Sequence, residues 1–487
     1  MKNFYLKHIN KYRVVVAIGF IIATILTLDF PVKMIGSSPW AYYFGVKNFA
    51  RGKFVIDDQL YQTQQSEARQ MGGILQQYVK INENKWALEK APGYVFYLVP
   101  FEILGIPRWG NIVLALGMVI TTFILLKRLR NEKAACIGSL LLLFTPTTLA
   151  MLNLAYMDAL ASLAFAVMGG GFYVLYHLEN KGSNKKSSFI LLFLAFLLIA
   201  WSAVTRYTNI TIALVFAMHF IITRVRHFIK HTQSLKSITL ELSAVITGTV
   251  LPLTVLLVYN YLVFGSPLDY GYNYTRFPIK FAFEYMGQID VNGNSLPLEI
   301  ILDNLKKAPA ALITGFPVLS VGIPAFILLL VQKSSSLFSK DISTVEKWYI
   351  LKNSLNWDLF VILIGWFIAV FFLYITYEFT AEYLGQNSSF IRFARFYLPG
   401  IFPVVIISSI FLERLPGKTT FSLAFLLIII STAIYLQYIT GQSIFSSGND
   451  SSPKTDLQNK RELKDNSIPE RYHQIQDSPT IQNQVIE

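Results

Sequence analysis

The sequence contains little of what builds redox, zinc or nucleotide sites. It has one cysteine, Cys136, in 487 residues, which excludes a disulfide framework and a cysteine-based metal site. Its six histidines are scattered without H-E-x-x-H spacing, and no G-x-S-x-G, Walker or G-x-G-x-x-G motif occurs. These absences argue against the common zinc protease, serine hydrolase and nucleotide-binding classes.

Charge is scarce as well, at 15% of the residues, whereas hydrophobic residues make up 53%. Nearly uncharged runs recur that approach or exceed about 18 residues, the length a helix needs to cross the hydrocarbon layer. The sequence therefore predicts an all-α polytopic membrane protein with about 11 transmembrane helices. The predicted spans are 14–28, 110–127, 134–151, 157–177, 188–204, 207–224, 238–262, 313–332, 357–376, 397–413 and 418–438.

The net charge of +13 would suggest nucleic acid in a soluble protein, but here the cations cluster between the hydrophobic runs. In the register of these spans, the basic connections fall on the side of the basic N-terminus. The positive-inside bias predicts a cytoplasmic N-terminus in a cell membrane and no nucleic-acid partner. The first run resembles a signal peptide but lacks an A-x-A-like cleavage site, so we interpret it as an uncleaved helix.

The same register places two long loops on the outer face, at 29–109 and 263–312. It requires the apolar stretch 91–107 not to cross the membrane, so we predict a re-entrant or surface helix there. Residues 1–440 would form one transmembrane domain. The polar residues 441–487 are predicted to be a disordered tail.

Ionised side chains at membrane depth are costly, which makes them candidates for functional sites. Those at the predicted outer ends of spans are Asp29, Lys90, Asp158, Arg206, Arg392 and Arg395. Because they come from distant parts of the chain, the sequence predicts one cavity at the outer interface. An aspartate there could be a general base or a metal ligand, and lysine and arginine suit a phosphate group.

Each of these residues also has a purely structural interpretation. Asp158 could cap free N–H groups at a helix start, and Asp29 could mark the boundary with water. Lys90 could pair with its neighbour Glu89, and the arginines could anchor helix ends by snorkelling. The residues alone leave these alternatives open.

Four stretches, taken in order, resemble a known family. They are "GSSPWAYYFGVKNFARGKF" (36–54), "EKAPGYVFYLVPFEILG" (89–105), "YMDAL" (156–160), and "YNYLVFGSPLDYGY" (259–272) together with "RFYLPGIFPVVII" (395–407). The set resembles membrane-embedded glycosyltransferases with the C-type fold, GT-C. Within these it is similar to the protein mannosyltransferase (family 39) and aminoarabinose transferase group, over about residues 1–415.

The resemblance implies transfer of a hexosyl or pentosyl unit from a polyprenyl-phosphate sugar to a hydroxyl of a protein, lipid or glycan acceptor. It implies an extracytoplasmic active site. Catalytic roles would fall to Asp29 and Asp158, and donor phosphate binding to Lys90, Arg206, Arg392 and Arg395. The substrate pocket would include Glu89, Tyr94, Tyr156 and Tyr42.

One position departs from the family pattern. Members usually carry an acid in the first loop, and the corresponding position here is Ser38. Asp29 could substitute for that acid, Asp57 or Asp58 could fold back, or the protein is not a catalyst. No cofactor is certain, and a divalent metal ion is left open because two acids could converge.

Two other classes explain the same composition. A lipid flippase or transporter would need many spans and no chemistry, and a catalytically inactive relative would only bind the lipid-linked sugar. A transporter predicts charges near mid-membrane in broken helices and related halves. Since the charges here gather at one predicted interface, the enzyme is favoured.

Overall fold

Long apolar helices make up most of the chain. The computed structural model describes residues 11–30, 34, 37–179, 185–230, 234–275, 280–289, 295–338, 357–378, 380 and 390–440. All of these belong to one unit, Met1–Gly441. The predicted tail, 441–487, lies outside the described residues.

The helices are α1 (Lys11–Leu28), α2 (Ser37–Ala50), α3 (Asp58–Gln70), α4 (Gly93–Ile103), α5 (Pro107–Leu129), α6 (Glu132–Leu143), α7 (Pro146–Asn153), α8 (Asp158–Glu179), α9 (Lys185–Thr205), α10 (Ile210–Ile229), α11 (Leu235–Phe264), α12 (Leu296–Gly315), α13 (Leu319–Phe338), α14 (Trp357–Ile375), α15 (Phe390–Tyr397), α16 (Ile401–Glu413) and α17 (Gly417–Thr440). The strands are β1 (Val55–Asp57), β2 (Tyr78–Asn82) and β3 (Lys85–Leu88). Single 3₁₀ turns cover Tyr207–Asn209, Gly271–Tyr274, Ala282–Tyr285 and Leu398–Gly400.

Nine stretches within the described residues are long and apolar enough to cross a membrane, and the number rises to 11 if each bent helix pair is one span. The bent pairs are α6 with α7, at 57°, and α12 with α13, at 111°. Proline explains both breaks, because Pro146 and Pro317 cannot donate the backbone hydrogen bond that would continue a helix. The prediction of a polytopic helical protein with about 11 spans is confirmed.

The second predicted outer loop, 263–312, contains regular structure. Most of its second half is helix α12, whose buried face includes Ile300, Asn304 and Ala308. The Asn304 amide donates to the carbonyl oxygens of Ile375, at 2.8 Å, and Tyr377, at 3.0 Å. This amide therefore ties α12 to the end of α14.

The first predicted outer loop contains a small antiparallel sheet, in the order β1-β3-β2, that the all-α expectation did not include. Helix α3 is locked to this sheet. Its N-cap, Asp57, accepts a hydrogen bond from the Leu60 amide at 2.7 Å, and Asp58 accepts one from the Trp86 indole at 2.9 Å. The Trp86 ring also stacks on Tyr61, with centroids 3.7 Å apart.

The predicted surface helix at 91–107 is α4, which is 11 residues long. At 1.5 Å per residue such a helix is about 16 Å long, too short for a hydrocarbon layer of about 30 Å. The helix ends at Ile103, the chain turns at Gly105, which has a φ of 71°, and α5 begins two residues later at Pro107. The short, non-spanning helix is thus confirmed.

The start of α4 lies directly against the end of α9. A Cβ atom at Gly93 would be 2.7 Å from the carbonyl carbon and oxygen of Val204, and 2.8 Å from the nitrogen of Thr205. Real Cβ atoms essentially never approach other atoms so closely. Only glycine therefore allows this approach of the two backbones, which brings the segment around Lys90 next to Arg206.

We predict that Gly93→Ala lowers the free energy of unfolding by about 1–3 kcal/mol, the usual cost of overpacking a close contact. Thermal unfolding of the detergent-solubilised protein measures the effect. The matched control is Gly417→Ala, which also changes the first residue of a helix but has no atom within 4 Å of the new Cβ. Equal melting temperatures for the two variants would contradict the close contact.

Candidate functional site

A cavity of about 450 Å³ lies where α8 begins and α9 ends, walled by the loops that follow β3, α11 and α14. Its lining is unusually rich in ionisable groups for a helical membrane protein. The charged side chains that line it are Glu89, Lys90, Asp158, Arg206, Lys280, Glu284 and Arg395. Four of the six charged residues selected from the sequence thus meet in one space.

Asp158 and Arg206 face each other across this cavity. Arg206 Nε lies 3.8 Å from Asp158 Oδ2, and the two side chains are 12% and 14% exposed. In the described part of the chain, no backbone N–H donates to the Asp158 carboxylate, so hydrogen-bonded capping does not account for this residue.

Lys90 lies between Glu89 and an aromatic side chain from a distant loop. Its Nζ is 3.5 Å from Glu89 Oε1 and donates to the Tyr272 hydroxyl at 2.9 Å. Burial alone would lower the pKa of Lys90, but Tyr272 and Glu89 outweigh it, so the pKa lies above its ordinary value. The ammonium therefore stays charged in the cavity.

Arg206 and Arg395 are held by a shared aromatic ring. Their guanidinium carbons lie 5.2 Å and 4.9 Å from the centroid of Phe396. Arg206 also lies 5.4 Å from the Tyr374 ring and donates to the Arg395 carbonyl at 3.3 Å. Cation–π contacts of this kind orient the planar donor forks of arginine.

The loop after α11 is fixed to the segment that carries Lys90. A Cβ at Gly271 would be 2.4 Å from the Cα and carbonyl oxygen of Glu89. The loop is also braced internally, because Asn260 donates to the Pro267 carbonyl at 3.1 Å and Asn273 donates to Asp269 at 3.1 Å. Gly271 therefore allows Tyr272 to reach Lys90.

Backbone hydrogen bonds hold a second wall of the cavity, formed by residues 280–282 and 376–378. Ala282 N donates to Thr376 O at 2.6 Å, and Glu378 N donates to Lys280 O at 3.2 Å. The intervening pair Phe281 and Tyr377 form an isolated antiparallel bridge. This wall therefore depends little on which side chains point into the cavity.

Of the predicted substrate-pocket residues, Glu89 and Tyr42 line the cavity, and Tyr94 and Tyr156 do not. The Tyr94 hydroxyl is fully buried, 2.9 Å from Asn111 Oδ1 and 2.6 Å from the Ala155 carbonyl. The Tyr156 hydroxyl donates to Glu102 Oε2 at 3.2 Å. Both therefore shape the turn that precedes Asp158.

The other acids suggested as the base lie elsewhere. Asp29 follows α1, is exposed, and is not among the residues that line the cavity. Asp57 and Asp58 are engaged in the α3 contacts described above. Ser38, at the position where the resemblance expects an acid, does line the cavity. Arg392 lies on α15, but its side chain is outside the described part of the structure.

The described residues do not assemble a metal centre. No three histidine, cysteine, aspartate or glutamate side chains among them lie close enough to hold an ion. Asp29, which the sequence suggested could converge with Asp158, does not share the cavity with it. These donors do not fit a divalent cation.

Sequence reasoning missed the neutral aromatic part of the lining. The additional tyrosines are Tyr207, Tyr270, Tyr272, Tyr374 and Tyr377. The stretch 259–272 already contained a signal for two of them, because Gly271 lies between Tyr270 and Tyr272. Lys280 had no such signal, since its place depends on the backbone bridge to α14.

Comparisons with protein-family models and with curated protein sequences return no match. Solved structures do match. The apo oligosaccharyltransferase of Archaeoglobus fulgidus has a TM-score of 0.53 at 11% identity, covering 94% of this chain and 60% of that one. The same enzyme tethered to an acceptor peptide containing the NVT sequon gives 0.51 at 12% identity, covering 95% and 58%.

ArnT from Cupriavidus metallidurans bound to undecaprenyl phosphate gives a TM-score of 0.48 at 13% identity, covering 88% of this chain and 71% of that one. The chain spans about 60% of the length of the oligosaccharyltransferase. At such identities the likeness concerns the fold. The chain is a multi-pass membrane protein with the GT-C fold, as the sequence resemblance implied.

We predict that Tyr94→Phe destabilises the protein by about 1–3 kcal/mol, because the buried acceptors Asn111 Oδ1 and Ala155 O lose the one hydroxyl donor that they share. The comparison is with Tyr261→Phe, which alters a tyrosine that is 59% exposed on α11. Thermal unfolding in detergent gives the difference. Unchanged stability combined with altered substrate binding would instead place Tyr94 in the substrate pocket.

Proposed function

We propose that this protein is a glycosyltransferase that moves a sugar from a polyprenyl-phosphate donor to an acceptor hydroxyl. One observation carries the proposal: Lys90, Asp158, Arg206 and Arg395, from four separate parts of the chain, line one cavity. Cations that converge beside a carboxylate suit a phosphate leaving group next to a general base. By analogy, the GT-C fold also favours this chemistry.

In the proposed reaction, the acceptor oxygen attacks the anomeric carbon while the bond between that carbon and the phosphate oxygen breaks. Asp158 takes the proton of the attacking hydroxyl. The departing phosphate keeps the bonding electron pair, and its charge is stabilised by Lys90, Arg206 and Arg395. This is a single displacement with inversion, and it needs no reactant besides donor and acceptor.

We also propose that the cavity opens on the extracytoplasmic side. The basic connections between spans support this orientation, because the positive-inside bias assigns them to the cytoplasm together with the N-terminus. The acceptor is then a protein, lipid or glycan hydroxyl presented at the outer membrane face. The donor lipid would reach the cavity from the membrane.

Two alternative functions, a lipid transporter and an inactive sugar-lipid-binding relative, can be distinguished from the enzyme. The breaks in the two bent helix pairs, at Phe144–Thr145 and at 316–318, carry no ionisable residue, which gives a transporter or flippase little support. An inactive relative that only binds the lipid-linked sugar is favoured by one observation, the presence of Ser38 in the cavity. If wild type transfers no sugar whereas Ser38→Asp does, the inactive relative is the correct assignment.

Lys90→Ala should lower the transfer rate on the order of a hundredfold or more, since one preorganised charged donor typically contributes about 3–4 kcal/mol. Transfer of radiolabelled sugar from polyprenyl phosphates by the purified protein is the measurement. Lys53→Ala, which removes an exposed lysine outside the cavity lining, is the matched control. A well-folded Lys90→Ala protein with near-normal turnover would remove this role.

Asp158→Asn should abolish most transfer, because an amide cannot accept the proton of the hydroxyl. The informative partner is Asp29→Asn, since Asp29 is the candidate substitute for the acid expected at Ser38 although it lies outside the cavity lining. We expect the larger loss for Asp158→Asn in the same assay. A larger loss for Asp29→Asn would transfer the role of the base to Asp29.

A further inference from the structure

Three tyrosines form an unassigned aromatic patch on the cavity wall. Tyr207 follows α9, and Tyr270 and Tyr272 come from the loop after α11. The ring centroids lie 5.4 Å apart for Tyr207 and Tyr270, 6.1 Å for Tyr207 and Tyr272, and 6.2 Å for Tyr270 and Tyr272. We refer to these three residues as the tyrosine trio.

Two members of the trio are well exposed within the cavity, and Tyr207 is half-buried. Tyr270 is 36% exposed and Tyr272 is 38% exposed, although both line the cavity. In the described part of the chain, the hydroxyls of Tyr207 and Tyr270 make no hydrogen bond. Aromatic surface left open in a concave site is a feature of binding surfaces.

The position of the trio is fixed relative to the ammonium group that binds the phosphate in the proposed function. Lys90 Nζ lies 4.8 Å from the centroid of the Tyr272 ring. The close packing of Gly271 on Glu89 fixes the loop that carries Tyr270 and Tyr272 against the segment that carries Lys90. The rings are therefore preorganised and need not be ordered by the ligand.

We propose that the tyrosine trio binds the sugar ring of the donor through its C–H face. The inference rests on the proposed function. In a glycosyl phosphate, one oxygen joins the sugar to phosphorus, so a phosphate at Lys90 places the sugar next to Tyr272 and its two neighbours. The C–H face of a pyranose is apolar and packs well on neutral aromatic rings, and the free hydroxyls can bond to the sugar's own.

The test compares probes that differ only in the sugar. Isothermal titration with the full-length protein in detergent would use farnesyl phosphate and its mannose, glucose and galactose esters. For the best-bound ester, Tyr270→Ala should raise the Kd about tenfold, while the Kd for sugar-free farnesyl phosphate stays within about twofold. Tyr207→Ala should behave in the same way, and Tyr270→Phe, which keeps the ring, should retain most of the affinity.

Tyr261→Ala, which removes an exposed tyrosine from α11 outside the cavity lining, should change neither Kd. Equal weakening of the sugar-free and the sugar-bearing probes in Tyr270→Ala would show that the trio acts only through the phosphate site, and the proposal falls. Undiminished affinity for the sugar esters in both alanine variants would overturn it as well. If wild type binds none of the probes, the donor proposal itself fails, and this inference fails with it.

Discussion

The backbone contact between Gly93 and the Val204–Thr205 peptide is the constraint on which the cavity depends. It fixes the start of α4 against the end of α9 at a distance that no side chain tolerates. Lys90 lies three residues before this contact, and Arg206 lies immediately after it. The two cations are therefore brought to one cavity by chain geometry, and their mutual repulsion is opposed by steric fit and by the acids paired with each.

The ion pairs of the cavity differ from the buried pair at the other end of α10 and α11. Arg224 and Glu241, which connect α10 and α11, lie 2.7 Å apart, whereas the pairs at Lys90 and Arg206 span 3.5 Å and 3.8 Å. A normal hydrogen bond between charged groups is about 2.7–2.9 Å long. The looser pairs still reduce the cost of burying charge, but their donors retain capacity for a ligand. Tight pairing suits a structural role, and loose pairing suits a site that binds an anion.

The helices could be predicted from the sequence because each depends on local hydrophobic pattern and length. Convergence of charged residues from the ends of apolar runs could also be predicted, and four of the six line one cavity. Which of them point inward could not, because direction around a helix end depends on packing between distant segments. Asp29 and Asp158 look alike in sequence, yet the start of α8 opens into the cavity and the end of α1 does not. The small sheet was missed because its strands are only three to five residues long.

The walls of the cavity explain how the fold can persist while the chemistry varies. Backbone hydrogen bonds join 280–282 to 376–378, and glycine contacts hold the loops at residues 93 and 271. Neither the backbone hydrogen bonds nor the glycine contacts determine which side chains face the ligand. Two chains built in this way can share a fold, with a TM-score of 0.53, at only 11% sequence identity. The side chains that line the cavity can then differ, and Ser38 does differ from the acid expected at its position. The reaction must therefore be argued from the lining itself. There, three carboxylates, four cations and an aromatic patch line one cavity, and they support the proposed glycosyl phosphate donor more specifically than the fold does.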